Sequence, residues 1–177
     1  MRSLLVLFFL GATAIAQDQS AIAAAVAACG PKDVQFDVRA DQNQHAVPQP
    51  DPGKALVYVV QEFGQVECKG CAVTKIGLDG AWVGANKGNS YVYFSAEPGE
   101  RHLCMNWQSR FEWRSRAFAV ANFTAEAGKT YYYRARLFPG SRFDISFDLD
   151  PINADQGKLL VASSAVSVSA PKAKTAK

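Results

Sequence analysis

Acidic side chains alternate with apolar ones near the C-terminal end of the chain. Every second position from 144 to 150 is polar: Asp144, Ser146, Asp148 and Asp150. A β-strand would place these side chains on one face. Paired carboxylates are what glycoside hydrolysis requires, and Asp148, Asp150 and Asp155 offer hard oxygen ligands for Ca²⁺. Because a solvated face opposite Arg134 or Arg136 gives the same pattern, we predict that face and no metal ion. The hydrolase and the calcium site are alternatives.

Two histidines are the other candidates for catalysis. His45 lies in a proline-rich stretch, and His102 follows a turn at the start of an expected strand. Nucleophilic catalysis needs a base within hydrogen-bond reach of a serine or cysteine, oriented by a third group. No nucleophile-elbow motif accompanies either histidine. We therefore predict a protein that is not an enzyme, with no catalytic residues and no cofactor.

Four cysteines, an even number, fit an exported chain whose thiols are oxidised. They allow three pairings, among which we favour Cys68–Cys71 and Cys29–Cys104. The second bond would tie an N-terminal arm to a central strand. Thiol–disulfide exchange at Cys68 and Cys71 would need a helix N-terminus, whereas the flanking residues favour strand, turn and strand. A zinc site usually shows a second close pair, so we predict a structural disulfide in a loop.

Tryptophans and arginines are concentrated in one expected loop, residues 107–116, which we name the Trp/Arg loop. Such side chains dominate binding hot spots, and indole rings offer flat apolar faces to sugars. The predicted binding residues are Trp107, Arg110, Phe111, Trp113 and Arg114. The alternative is that Trp107 and Phe111 close one end of the core while the arginines face solvent.

The N-terminus has the features of a secretory signal peptide. Arg2 precedes the apolar run 4–10, and the small residues Ala14 and Ala16 precede polar Gln17. Signal peptidase recognises this pattern, and the run is shorter than the about 20 apolar residues that a membrane-spanning helix needs. We predict cleavage after Ala16 and a periplasmic or extracellular protein.

A rival cleavage site is Val26-Ala27-Ala28-Cys29-Gly30, which resembles the lipobox of bacterial lipoproteins. A lipid on Cys29 would anchor the chain to a membrane. Asp18 would then interrupt a hydrophobic stretch that should be continuous, and an odd number of cysteines would remain. Lipid anchoring through Cys29 is therefore the alternative to a freely exported chain.

The charge of the chain excludes one class of partner. There are 19 basic and 16 acidic side chains, and four of the basic ones lie in the signal peptide or the C-terminal tail: Arg2, Lys172, Lys174 and Lys177. Subtracting those four from 19 leaves 15 basic side chains against 16 acidic ones. A nearly neutral body has no electrostatic footprint for nucleic acid. No later segment is apolar enough to cross a membrane.

Short β-rich runs separated by turn residues fill the chain from Ala55 onward. Asp79-Gly80 between two of these runs predicts a type I′ hairpin. About eight such strands indicate an all-β fold with a single antiparallel β-sandwich. Short helices are expected at 20–28 and after Asn153, which would cap the second one. The expected divisions are a signal peptide at 1–16, an N-terminal arm and proline-rich linker at 17–54, the sandwich at 55–168 and a disordered basic tail at 169–177.

Several motifs of the central stretch occur in a set order. They are Ala55-Leu56-Val57-Tyr58-Val59, Gly77-Leu78-Asp79-Gly80-Ala81-Trp82-Val83-Gly84, Ser90-Tyr91, Pro98-Gly99-Glu100-Arg101-His102 and Ala127-Gly128-Lys129-Thr130-Tyr131-Tyr132. This order resembles an uncharacterised family of bacterial exported proteins and lipoproteins, classed as a domain of unknown function. The Asp-Gly and Pro-Gly spacing is similar to PEGA-type β-domains of cell-envelope proteins. The resemblance covers roughly residues 55–164 and implies a β-sandwich in the envelope, without catalytic residues. The Cys68-x-x-Cys71 segment departs from the family.

These patterns favour a non-enzymatic exported protein of the cell envelope or periplasm that binds a protein or a glycan. One alternative is a glycan hydrolase that uses Asp144, Asp148 and Asp150. The other is a thiol–disulfide protein that uses Cys68 and Cys71. The sequence does not set the oligomeric state.

Overall fold

The computed structural model describes residues 23, 26–43, 48–62, 73–109, 118–139 and 145–173. These ranges contain ten strands and one complete helix. The strands are β1 (Phe36–Asp41), β2 (Ala55–Glu62), β3 (Val73–Leu78), β4 (Ala81–Lys87), β5 (Ser90–Ala96), β6 (Gly99–Gln108), β7 (Phe118–Ala125), β8 (Thr130–Pro139), β9 (Ile145–Ile152) and β10 (Ala165–Pro171), and the helix α1 is Ala154–Ser163. Most of the helix expected at 20–28 lies outside the described residues.

The strands form two sheets. The six-stranded sheet has the order β1-β10-β5-β2-β8-β9, and the four-stranded sheet has the order β4-β3-β6-β7. The β-rich fold is therefore as predicted. Two details differ from the expected antiparallel sandwich of about eight strands: the described residues contain ten strands, and the β2/β8 and β5/β10 pairs are parallel. Alternation along a strand reports which face is buried, not the direction of the neighbouring strand, so the sequence did not reveal these pairs.

The main core lies between the two sheets. It includes Val57 and Val59 of β2, Ile76 of β3, and Leu103 and Met105 of β6, all at most 1% exposed. β2 is buried on both faces, because its alternate residues form a second cluster on the other side of the sheet. This explains its unbroken apolar run, which a strand covered on one face would not need.

Helix α1 covers part of the outer face of the six-stranded sheet. Asn153 caps it as predicted, since its side-chain oxygen accepts a hydrogen bond from the Gln156 amide at 2.9 Å. A glycine inside a helix normally weakens it, but a Cβ atom at Gly157 would lie 2.2 Å from Cγ of Tyr132. The glycine therefore allows the helix to pack closely on this ring.

The predicted Asp79-Gly80 hairpin joins β3 and β4. Asp79 has φ 49° and Gly80 has φ 87°, so both central residues are in the left-handed region that a type I′ turn requires. The Asp79 carboxylate also accepts a hydrogen bond from the His102 amide at 2.8 Å, which fixes the turn to β6. Local turn chemistry was therefore sufficient to place this hairpin.

The first and last described strands pair in the six-stranded sheet. β1 pairs with β10 along its whole length, from Phe36 opposite Pro171 to Asp41 opposite Val166. β1 lies within the N-terminal arm and linker, residues 17–54, and β10 extends to Pro171, three residues into the expected tail. The first three residues of β10 are buried, whereas Val168, on the same face as Val166, is exposed, so burial decreases along the strand.

Candidate functional site

Residues 26–35, which we name the N-terminal segment, cover part of the outer face of the four-stranded sheet. A disulfide joins Cys29 to Cys104 of β6, which confirms this predicted pairing. The backbone oxygen of Ala28 accepts a hydrogen bond from the Gly80 amide at 3.1 Å, and that of Pro31 accepts one from the Trp82 indole at 2.8 Å. The segment is thus attached to β6, to the hairpin and to β4. Cys68 and Cys71 lie outside the described residues.

A cavity of about 360 Å³ lies between the N-terminal segment and the sheet. Its described lining is mixed: two indole rings, two lysines, several amide side chains and one exposed phenylalanine. The lining residues are Val26, Cys29, Gly30, Lys32, Gln35, Lys75, Trp82, Asn106, Trp107, Gln108, Ser109 and Phe118. Apolar walls with a few polar groups are typical of ligand sites, and the volume falls within their usual range of about 300–1,000 Å³.

Lys75 is the unusual member of this lining, because it is only 4% exposed. Its Nζ atom donates a hydrogen bond to the Val34 oxygen at 3.1 Å and lies 4.1 Å from the centre of the Trp82 ring. Burial lowers the pKa of Lys75, and the Asp33 charge acts in the opposite direction without cancelling this effect. The site therefore contains a buried amine that is attracted to an indole ring.

The opposite side of the cavity is built from the end of β6. The Gln108 amide binds both backbone groups of Phe36, accepting from its nitrogen at 2.6 Å and donating to its oxygen at 2.9 Å. This pairing attaches the start of β1 to the four-stranded sheet. Trp107 packs edge-on against Phe147 at a ring distance of 6.1 Å, so it lines the cavity and also extends the core.

Only part of the predicted binding set can be placed. Trp107 lies at the cavity, whereas Arg110, Phe111, Trp113 and Arg114 lie outside the described residues. Ser109 and Phe118, the described residues on either side of that gap, both line the cavity. Lys75 and Trp82 were not identified as site residues from sequence. The predicted Cys29–Cys104 bond was the available signal, because it brings the N-terminal segment to the sheet that carries both residues.

The acidic face of β9 is occupied by arginine. Arg136 lies opposite Asp148, and its guanidinium is 3.5 Å from the Asp148 carboxylate and 2.6 Å from that of Asp150. Phe147 and Leu149 point into the core. The alternation and the arginine partner are therefore as expected for residues 146–150, while Asp144 lies outside the described residues.

His102 and Asp155, the other described candidates for catalysis or metal binding, both lie on the surface. The His102 side chain is 45% exposed and lies 4.0 Å from the Glu100 carboxylate, so it is on the surface. Asp155 is exposed in the first turn of α1. Within the described ranges, no three His, Cys, Asp or Glu side chains come together in a way that could hold a metal ion. His45 lies outside those ranges.

Comparisons with known proteins leave the chain without an assigned relative. No family model matches it, and no curated protein matches it either. The resemblance to exported proteins and PEGA-type domains therefore stays a prediction. The helical part of the described chain contains no stretch long and apolar enough to cross a membrane.

Proposed function

We propose that this protein is an exported, non-enzymatic binding protein of the cell envelope, and that it binds a glycan in the cavity beneath the N-terminal segment. The observation that carries the proposal is the cavity itself, which presents Trp82 and Trp107 beside amide and amine groups. Sugar rings have apolar faces and polar edges, so they match indole walls that carry a few hydrogen-bonding groups at their margin.

The disulfide supports export. Bonds such as Cys29–Cys104 form and persist in oxidising compartments outside the cytoplasm. Because the Cys29 sulfur is bonded to Cys104, it is not available for a lipid, so we favour cleavage after Ala16 over the lipoprotein alternative. Intact mass of the protein from the envelope of its natural host tests this: a chain that begins at Gln17 supports the proposal, and a lipid on Cys29 contradicts it.

Exposed phenylalanines on opposite sheets provide a test of the site. Phe118 lines the cavity and is 42% exposed, while Phe138 lies on β8 of the other sheet and is 39% exposed. We expect Phe118→Ala to weaken glycan binding by about 5- to 30-fold, the range that follows from losing an aromatic contact at a binding site. Phe138→Ala is the matched control and should bind as the unchanged protein does.

The measurement is calorimetric titration with a panel of envelope oligosaccharides, together with thermal unfolding of both variants. If Phe118→Ala and Phe138→Ala change the affinity for the oligosaccharide equally, the binding site is not in the cavity. A panel in which no oligosaccharide binds would refute the glycan proposal and favour a protein partner.

A further inference from the structure

Lys75 places a positive charge at a point of the cavity from which water is almost excluded. The residue is 4% exposed, and its two described contacts are with neutral groups: the Val34 carbonyl oxygen at 3.1 Å and the Trp82 ring at 4.1 Å. A buried charge is costly unless an opposite charge compensates it. One carbonyl and one ring face only partly satisfy an ammonium group, which has three N–H donors.

The described charged residues that line the cavity are both cations. The described lining includes Lys32 as well as Lys75, and it includes neither aspartate nor glutamate. Lys32 is exposed. Asp33 is the described carboxylate whose charge acts on Lys75, and it does not offset the burial of that amine. A cavity lined by one buried cation and one exposed cation attracts an anionic ligand.

We propose that the glycan bound in this cavity is acidic, with the carboxylate of a uronic-acid-type sugar paired to the Lys75 ammonium and the sugar ring lying against the indole walls. This inference rests on the proposed function and specifies its ligand. A carboxylate carries one negative charge, which matches the single buried ammonium. A charge-assisted hydrogen bond between the two would be shorter and stronger than a neutral one.

A matched pair of probes separates charge from shape. The probes are trigalacturonate and its methyl ester, which have the same rings but differ in charge. We expect the unchanged protein to bind the acid at least about tenfold more tightly than the ester, because only the acid can form the charge-assisted hydrogen bond with the Lys75 ammonium. Lys75→Met keeps the aliphatic stem and should remove this preference, whereas Lys32→Met should retain most of it.

Each outcome separates this inference from the proposed function. If the unchanged protein binds both probes equally, the acidic ligand is refuted while a glycan function stands. If Lys75→Met keeps the preference for the acid, the assignment to Lys75 is wrong. If neither probe nor any other oligosaccharide binds, both proposals fail.

A second measurement does not depend on the variant folding. In the unchanged protein with carbon-13 at lysine Cε, the acid should raise the pKa of Lys75 because a carboxylate stabilises the ammonium. The ester should leave that pKa where it is in the free protein. A Lys75 resonance that titrates identically with acid, with ester and without ligand would overturn the proposal.

Discussion

Among the described residues Tyr91 is the largest fully buried side chain, and its hydroxyl has no hydrogen-bond partner there. An unsatisfied buried hydroxyl costs about 1–3 kcal/mol. Tyr91→Phe should therefore raise the free energy of unfolding by about 1 kcal/mol. Tyr131→Phe is the opposite case, because its hydroxyl donates to the Thr124 oxygen at 2.8 Å and accepts from the Glu126 amide at 3.1 Å. It should lower that free energy by about 1 kcal/mol.

Urea unfolding of both variants checks this pair. A loss of stability in Tyr91→Phe equal to that in Tyr131→Phe would mean that the Tyr91 hydroxyl has a partner after all. The comparison isolates the contribution of the hydroxyl group, because each substitution removes one oxygen and leaves the ring in place.

Several of the tyrosines predict how stability depends on pH. Burial is the main cause that raises the pKa of Tyr58 and of Tyr133, in each case to about 12. Between the unfolded value near 10 and this folded value, the unfolded chain has lost a proton that the folded chain keeps. Stability should therefore be unaffected by these groups below about pH 10 and should fall as pH rises towards 12, by at most about 1.4 kcal/mol per unit for each tyrosine.

Tyr58→Phe tests this assignment. The variant keeps the stacked contact with Tyr132, whose ring lies 5.1 Å away at 9°, but has no proton to lose. Urea midpoints measured from neutral to alkaline pH should therefore decline less steeply for Tyr58→Phe than for the unchanged protein. Parallel declines would show that Tyr58 does not contribute to alkaline unfolding.

Lys75 shows why the cavity could not be predicted from the sequence. Period-2 alternation puts Lys75 on the face of β3 opposite Ile76, and an outer face suggests contact with water. At Lys75 this face is instead covered by the N-terminal segment. Val34 of that segment accepts a hydrogen bond from Lys75, and the two residues are 41 positions apart in sequence. Only tertiary contact decides whether a polar strand face is solvated, so the cavity could not be located from the strand pattern.

Among the elements, helix α1 depends on one close contact with the sheet. Replacing a helix-interior glycine by alanine normally stabilises a helix by about 1 kcal/mol. At Gly157 the new methyl group would lie 2.2 Å from Tyr132, which forces the helix away from the ring. We expect Gly157→Ala to lower the free energy of unfolding by about 1–3 kcal/mol.

Lys158→Ala provides a control on the same helix, because Lys158 is exposed. It should change stability by less than about 0.5 kcal/mol. Chemical denaturation of both variants decides the matter: a Gly157→Ala protein as stable as the unchanged one would mean that α1 can shift without losing its packing.

The N-terminal segment depends on its disulfide. Cys29 and Cys104 are separated by 75 positions, and closing a loop of this length contributes about 4 kcal/mol in the chain-entropy model. A Cys29→Ala/Cys104→Ala double variant should lose about 2–4 kcal/mol of stability. It should also release the Gly80 amide, which donates to Ala28, and weaken binding at the cavity.

Hydrogen exchange of the Gly80 amide gives the local readout, and urea unfolding gives the global one. We expect the Gly80 amide of the double variant to exchange faster than global unfolding alone explains. The amides of β2 should exchange at the rate that the global stability of the variant sets. Unchanged protection of Gly80 would show that the segment stays in place without the bond.

Elements whose formation depends on neighbouring residues were the ones that sequence predicted well. The Asp79-Gly80 turn and the Asn153 cap are both local, since each depends on residues at most three positions apart. The role of Gly157 depends on Tyr132 in another element. It was therefore invisible to an argument from helix propensity.

In the whole molecule, the direction of the strands was harder to predict than their number. β2 and β8 are parallel neighbours, yet the four-stranded sheet and β5 lie between them in sequence. Turn chemistry specifies hairpins between consecutive strands, whereas pairing across so many residues depends on how the two sheets pack. The two parallel pairs follow from that packing and have no local signal.

β10 connects β1 to the rest of the six-stranded sheet, because it lies between β1 and β5. β10 buries Ala165 and Val166 and pairs with every residue of β1. A chain that ends after Ser164 loses both, and it leaves unpaired backbone groups on β1 and β5. Since a domain of this size is stable by only about 5–15 kcal/mol, we expect this truncated protein to show no cooperative unfolding transition.

A chain that ends after Ala173 is the matched control, because it keeps the whole of β10 and the Lys172 amide that donates to the Gln35 oxygen at 2.7 Å. It should unfold at the same urea midpoint as the full chain. If the protein that ends after Ser164 also unfolds cooperatively at that midpoint, β10 is not required for folding. β1 would then have to stay in place without the strand that joins it to β5, and the N-terminal segment would depend on its disulfide and its contacts with the four-stranded sheet alone.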